Sequence, residues 1–360
     1  MARVAPKFPC IDVHTHLNND GAAVAVDIMD SVGLDLMVNL TGGRTTGFAA
    51  GLKAFGGRFA KRFAVCVTLD YTRVDDRNWA RRQADAFEAA VKAGAAGLKE
   101  VKRLGLGIRF KDGTLLAIDD PLLEPVWDRC AALNVPLWIH VSDPLAFHKP
   151  LSLTNERVVE LQVHPDWSFL KPGLPSKYEL LEALNRVIRR HPRMKSICVH
   201  VGGLPEDLVT LSHWLDEQPN MYIDLAARFV EIGRHHPEMV RNFFIRHQDR
   251  ILFGTDTGIS ANHCMLGVPM PADDRFFKRD DFKEAFLLPY FAAIYRYLET
   301  DDYYIPAPSP VQGTWPIHGI ALPDDVLKKV YSENARRIIP ALAGRGASKT
   351  GGARARQRAH

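Results

Sequence analysis

The 360-residue chain is 46% hydrophobic and 24% charged, ordinary values for a globular protein with a sizeable core. Its formal charge of +4 is concentrated at one end: residues 345–360 hold five Lys or Arg and no acid, and without those five the first 344 residues stand at −1. A nearly neutral body gives no basis for binding nucleic acid or another polyanion. The five cysteines are scattered, form no CxxC pair and mostly sit in or beside apolar runs, the usual setting of a reduced thiol in a reducing compartment. The opening MARVAPKFPC lacks the apolar core of a signal peptide, and no run approaches the ~18 apolar residues of a membrane span. A cytoplasmic location and no membrane partner are therefore expected.

Eight short apolar, β-branched runs follow in chain order, each ending in a polar or glycine turn: Cys10–His16, Leu36–Leu40, Phe63–Leu69, Gly97–Val101, Pro136–Val141, Ser196–Val201, Met221–Leu225 and Ile251–Phe253. Such continuous apolar character suits strands buried on both faces of a parallel sheet. Helical stretches lie between most of them, among them Arg77–Gly94, Pro121–Asn134, Ser176–His191 and Pro205–Gln218. Strand then helix, eight times, is the pattern of an α/β fold of the (β/α)8 TIM-barrel type. A doubly wound sheet is the alternative, but the chain has neither GxGxxG nor GxxxxGK[ST].

Two connections are long. Residues 143–177, after the fifth run, are rich in Pro, His and aromatics and are expected to cover the active-site end. Residues 257–323, after the eighth, are read as an insertion, with an aromatic helix at Phe282–Leu298 and a Pro-rich stretch; an insertion of that length is commonly functional or an oligomer contact, here of a homodimer. Val326–Leu342 is expected to form the last helix of a single barrel domain over residues 1–343, and residues 344–360 a disordered basic tail.

The first run reads Ile-Asp-Val-His14-Thr-His16, and residues two apart on a strand project to one face. An HxH pair also occurs as two hydrogen-bonded histidines at a strand end, so it gains meaning only in company. The fifth run ends on His140, the sixth on His200 and the eighth on Asp256. All stand toward the C-terminal ends of their strands, the face where barrel active sites are built. Four histidines and a carboxylate at one end of separate strands are hard to explain as core. Three neutral imidazoles and a carboxylate suit Zn2+ or a similar divalent ion with a position left for water, whose pKa falls toward ~7.

In this combination the chain resembles the amidohydrolase-related branch (family 2) of the amidohydrolase superfamily, over roughly residues 9–342. That branch holds metal-dependent hydrolases, lactonases and non-oxidative decarboxylases. The resemblance implies that His14, His16, His140 and Asp256 ligate one divalent metal ion, Zn2+ or alternatively Mn2+. It implies that His200 acts beside the metal as acid/base or polarises the substrate, and that Asp256 doubles as the base toward metal-bound water. It also raises Lys99 as a carboxylated bridge to a second metal, or as a partner for a substrate carboxylate; the one-metal version is preferred.

Other candidates are softer. Arg228 is a carboxylate clamp or a rim salt bridge. Arg44, His148 and Trp167 are candidate substrate contacts, each also readable as surface, and so is His164; Asp12 is a hydrogen-bond partner one layer below the histidines. No GxSxG occurs, and Cys198 is read as barrel filler. The expected activity is hydrolysis of an ester, lactone or amide of a small organic substrate. Decarboxylation of an aromatic or unsaturated acid is the alternative, and the motif does not choose between them.

Overall fold

A computed structural model describes residues 4–266 and 282–346. Its strands are β1 (Cys10–Leu17), β2 (Leu34–Asn39), β3 (Phe63–Val65), β4 (Val67–Thr68), β5 (Leu98–Glu100), β6 (Leu137–Ile139), β7 (Ser196–Cys198), β8 (Met221–Asp224), β9 (Ile251–Leu252), β10 (Thr257–Ile259) and β11 (Cys264–Met265). They form two sheets, β11-β10-β1-β2-β3 and β4-β5-β6-β7-β8-β9, parallel throughout except for the β10–β11 hairpin.

The two sheets are one barrel. β3 and β4 are a single strand interrupted at Cys66, whose N–H still reaches the Asn39 carbonyl at 2.8 Å. At the other seam the backbone between β9 and β10 lies along β1: Val13 N donates to Phe253 O at 3.0 Å and Asp256 N to His14 O at 2.9 Å. Eight parallel strands with helices between them make a (β/α)8 barrel, as the periodicity predicts.

The barrel packs in two layers. Strand residues such as Met37, Leu98, Leu137 and Phe253 bury against helix residues such as Met29, Phe87, Trp127 and Leu184. A smaller cluster draws Ile11, Val38, Ala64, Trp138, Ile197 and Leu252 from around the barrel and joins them to Ile338 and Leu342. The C-terminal segment therefore stoppers the N-terminal end of the barrel, where Lys195 Nζ also reaches Ile338 O at 3.3 Å.

Element ends differ from the sequence reading where side chains or turns intervene. The sixth strand stops at Cys198 rather than Val201, because His200 and Val201 turn into the left-handed region at φ 59° and 58°. The helix expected from Pro205 begins at Leu208, with Asp207 as its cap accepting from Thr210 N at 3.0 Å. Ser176 caps helix Lys177–Arg190 with a full capping box, its side chain on Glu179 N and the Glu179 carboxylate on its own N–H. Residues 257–259, read as the start of an insertion, are instead paired to β1 and extend the barrel seam. Residues 267–281 of that expected insertion, and the tail from residue 347 onward, lie outside the described residues. Among the described residues no helix is long and apolar enough to cross a membrane.

Candidate metal centre

β1, which carries two histidines, is pinned on both sides, by β2 and by β10. Beneath them Asp12 is fully buried; its Oδ1 accepts from His14 N and Thr255 N, both at 3.1 Å, and its Oδ2 from the Thr255 hydroxyl at 2.6 Å. His14 Nδ1 lies 2.8 Å from Asp224 Oδ2, and its Nε2 points the other way, 3.3 Å from His16 Nε2 and 3.4 Å from Asp256 Oδ1. His16 Nε2 lies 3.1 Å from the same oxygen.

These three atoms form a triangle with edges of 3.1 to 3.4 Å. A tetrahedral ion with bonds of ~2.0–2.1 Å places its ligands roughly 3.3 Å apart, so the donor set fits a metal. His14, His200 and Asp256 also have ligand atoms within 4.8 Å of one another. His140, the remaining expected ligand, stacks edge-on to His200 with ring centroids 4.3 Å apart. Its Nε2 is buried with no hydrogen-bond partner of normal geometry, 3.5 Å from Asp143 Oδ1.

Backbone strain gathers at this end of the barrel. Besides His200 and Val201, Ala227 and Asp256 hold φ of 54° and 64°, a region non-glycine residues rarely occupy. All lie within four residues of the end of β7, β8 or β9.

The electrostatics keep His14, His140 and His200 neutral. Burial drives His14 and His200 well below the ordinary histidine value, and His140 down to about 4. Burial alone would raise Asp256, but His14 and His16 beside it hold it below the usual carboxylate value. His200 Nδ1 lies 2.8 Å from Ala226 O. A carbonyl can only accept, so Nδ1 carries the proton and Nε2 presents a lone pair. Lys99 is buried on β5 with Nζ unpartnered, and burial lowers its ammonium to about 8 against the pull of Asp224 and Asp256.

The softer candidates separate. Arg228 is buried and occupied, donating to Ala227 O at 2.8 Å and to Asp143 Oδ1 at 3.4 Å, with Nε unpartnered. Trp167 stacks on His164 at 4.1 Å and carries the Lys102 ammonium over its ring at 4.9 Å. His148 packs against Phe169, its buried Nε2 unpartnered and its pKa brought by burial to about 4. Arg44 is mostly exposed, 3.7 Å from Asp70, and lines a separate cleft of about 380 Å³ with Arg103 and Arg109.

Sequence reasoning missed Asp143, the hub of this side of the site. Its Oδ2 accepts from Lys102 Nζ at 2.7 Å, and Lys102, His140 and Arg228 overcome burial to hold it well below the carboxylate range. Its position three residues after His140 at a strand end was the one signal that could have found it. The buried set Arg157, Glu160 and Glu231 behind Arg228 had none, since the link that joins it, Arg157 to Glu231, spans 74 residues.

Solved structures share this fold. A TIM-barrel protein from Bordetella bronchiseptica aligns over 93% of this chain and 100% of its own, with TM-score 0.50 and 13% identity. A 2,6-dihydroxybenzoate decarboxylase from Rhizobium aligns over 92% of this chain and 98% of its own, with TM-score 0.50 and 15% identity. A 2,6-dihydroxybenzoate decarboxylase in complex with 2,6-dihydroxybenzoate aligns over 92% and 99%, with TM-score 0.51 and 15% identity. At these identities the likeness is one of fold. A search of curated protein sequences finds no match. The sequence profile of the amidohydrolase family matches residues 11–341, and the chain belongs to that family.

Proposed function

We propose that the protein is a metal-dependent hydrolase that cleaves an ester, lactone or amide bond of a small organic substrate. His14, His16, His140 and Asp256 would hold one divalent ion, Zn2+ or Mn2+, with His200 beside it. When bound, such an ion supplies Lewis acidity that polarises a carbonyl and makes water easier to deprotonate.

The observation that carries the reading is that both groups beside the histidine pair are proton acceptors at rest. Asp256 is held ionised, and His200 offers a bare Nε2 because its Nδ1–H is committed to Ala226 O. Asp256 takes the proton from the attacking water and returns it to the leaving group, a role worth roughly 10²–10⁴ in rate. His200 orders the same water by accepting from it. Lys99, buried with Nζ unpartnered, gives the substrate's polar end a cationic anchor, and Arg228 adds positive charge, its Nε turned toward Glu231 at 3.8 Å. Decarboxylation is the second reading: there one of these two acceptors would first have to gain a proton and then deliver it to carbon.

The test is a screen of the zinc- or manganese-loaded protein on lactones, esters, amides and aromatic carboxylates in ¹⁸O-water. Label in the product carboxylate is the expected result. Release of carbon dioxide without water consumption, or a pure preparation that takes up no stoichiometric divalent metal, overturns the proposal.

A further inference from the structure

We propose that Asp224 is the positioning residue of this site, its carboxylate fixing the tautomer of His14 so that Nε2 is left free to bind. The inference deepens the metal-dependent reading and relies on it only where metal affinity is measured.

Asp224 closes β8 and is wholly buried. Its two oxygens are divided. Oδ1 accepts from the backbone N–H of His200 at 2.8 Å and of Ala226 at 3.2 Å. Oδ2 faces His14 Nδ1 at 2.8 Å. An ionised carboxylate only accepts, so Nδ1 of His14 bears the proton and Nε2 keeps its lone pair toward His16 and Asp256. Metal-binding histidines depend on such a partner for both ring orientation and tautomer.

The division also explains why the arrangement cannot rotate away. Oδ1 is held by two backbone donors, one of them in the left-handed turn at His200, and neither can become an acceptor. In Asp224→Asn the amide oxygen must therefore stay on those two N–H groups. The new NH2 then faces His14 Nδ1, which has to accept. The ring proton moves to Nε2, within 3.3–3.4 Å of His16 Nε2 and Asp256 Oδ1, and one ligand is lost with almost no change of shape.

The experiment is ¹H–¹⁵N long-range NMR on full-length, metal-free, ¹⁵N-histidine-labelled protein at pH 8, with His14 assigned by the signals missing from His14→Gln. Wild type is expected to show the Nδ1–H tautomer and Asp224→Asn the Nε2–H tautomer. Zinc titrated against a chromogenic chelator is then expected to bind the variant about 10–100-fold more weakly. A purely structural role would leave the tautomer in place. An Nε2–H tautomer in the wild type overturns the proposal, as do an unchanged tautomer and unchanged zinc affinity in the variant. Should Asp224→Asn fail to fold, the wild-type spectrum decides alone. Should zinc not bind at all, the metal reading fails while the tautomer measurement still judges Asp224.

Discussion

Thr255 fastens the last strand of the barrel to the first through Asp12, its hydroxyl donating to Oδ2 at 2.6 Å and its N–H to Oδ1 at 3.1 Å. Both residues are fully buried, so no water can replace the hydroxyl. Thr255→Val keeps the shape and strands Oδ2, which is expected to cost about 1–3 kcal/mol. Urea unfolding of the metal-free protein measures it. An unchanged midpoint at unchanged slope would show that the seam does not depend on this bond.

Asp256→Asn tests the centre itself. The amide cannot take a proton from water, and its oxygen is a weaker donor to a metal than a carboxylate. The expected loss is about 10²–10⁴ in kcat at saturating metal, with the thermal midpoint of the metal-free protein nearly unchanged. Retained turnover at saturating metal would remove Asp256 from the chemistry.

Glu100 predicts a pH signature of stability. Burial pushes its carboxyl up to about 7, above the ordinary 4.5, although the Tyr71 hydroxyl donates to Oε2 at 2.5 Å. The folded state therefore favours the protonated form. Measured against Glu100→Gln, which does not titrate, the wild type holds its full advantage below about pH 4.5, loses it between 4.5 and 7, and is level above that. The whole change is on the order of 3 kcal/mol. Unfolding free energies of the two proteins at about pH 4.5, 6 and 7.5 check it, and a difference independent of pH contradicts the assignment.

Gly51 predicts a steric limit. It sits in helix Ala49–Ala54, where an added Cβ would lie 1.9 Å from Gly42 O. The obstacle is backbone on the loop after β2, and it cannot rotate aside. Gly51→Ala, helpful in an open helix, is expected instead to destabilise by roughly 3 kcal/mol or more. Calorimetry that found the variant as stable as wild type would mean that this loop is free to move.

The sequence was most legible where chemistry repeats locally. Buried parallel strands announce themselves by apolar runs, and the strand ends alone put His14, His16, His140, His200 and Asp256 at one end of the barrel, where the structure brings them together. What it could not display were partners made by closure. Asp224 is one acid closing one strand, and its use depends on where His14 arrives from the other side of the barrel. The seam residues 257–259 looked like an insertion since three residues, one of them glycine, carry no strand periodicity. His200 read as the end of a strand; its left-handed turn, whose N–H donates to Asp224 Oδ1, has no signature in residue type.

The distance along the chain between His14 and its partners sets an order of events in the cell. Asp224 follows His14 by 210 residues, and Asp256 comes later still. At ~5–20 residues per second, ribosomal synthesis leaves the histidine pair without these neighbours for roughly 10–40 seconds. During that interval the nascent strand has the two histidines proposed as ligands and none of the seam that aims them. On the proposed metal reading, a filled site would mark a chain whose synthesis has passed its last strand. A chain broken off before β9 would carry the recognisable HxH yet have nothing to close around it.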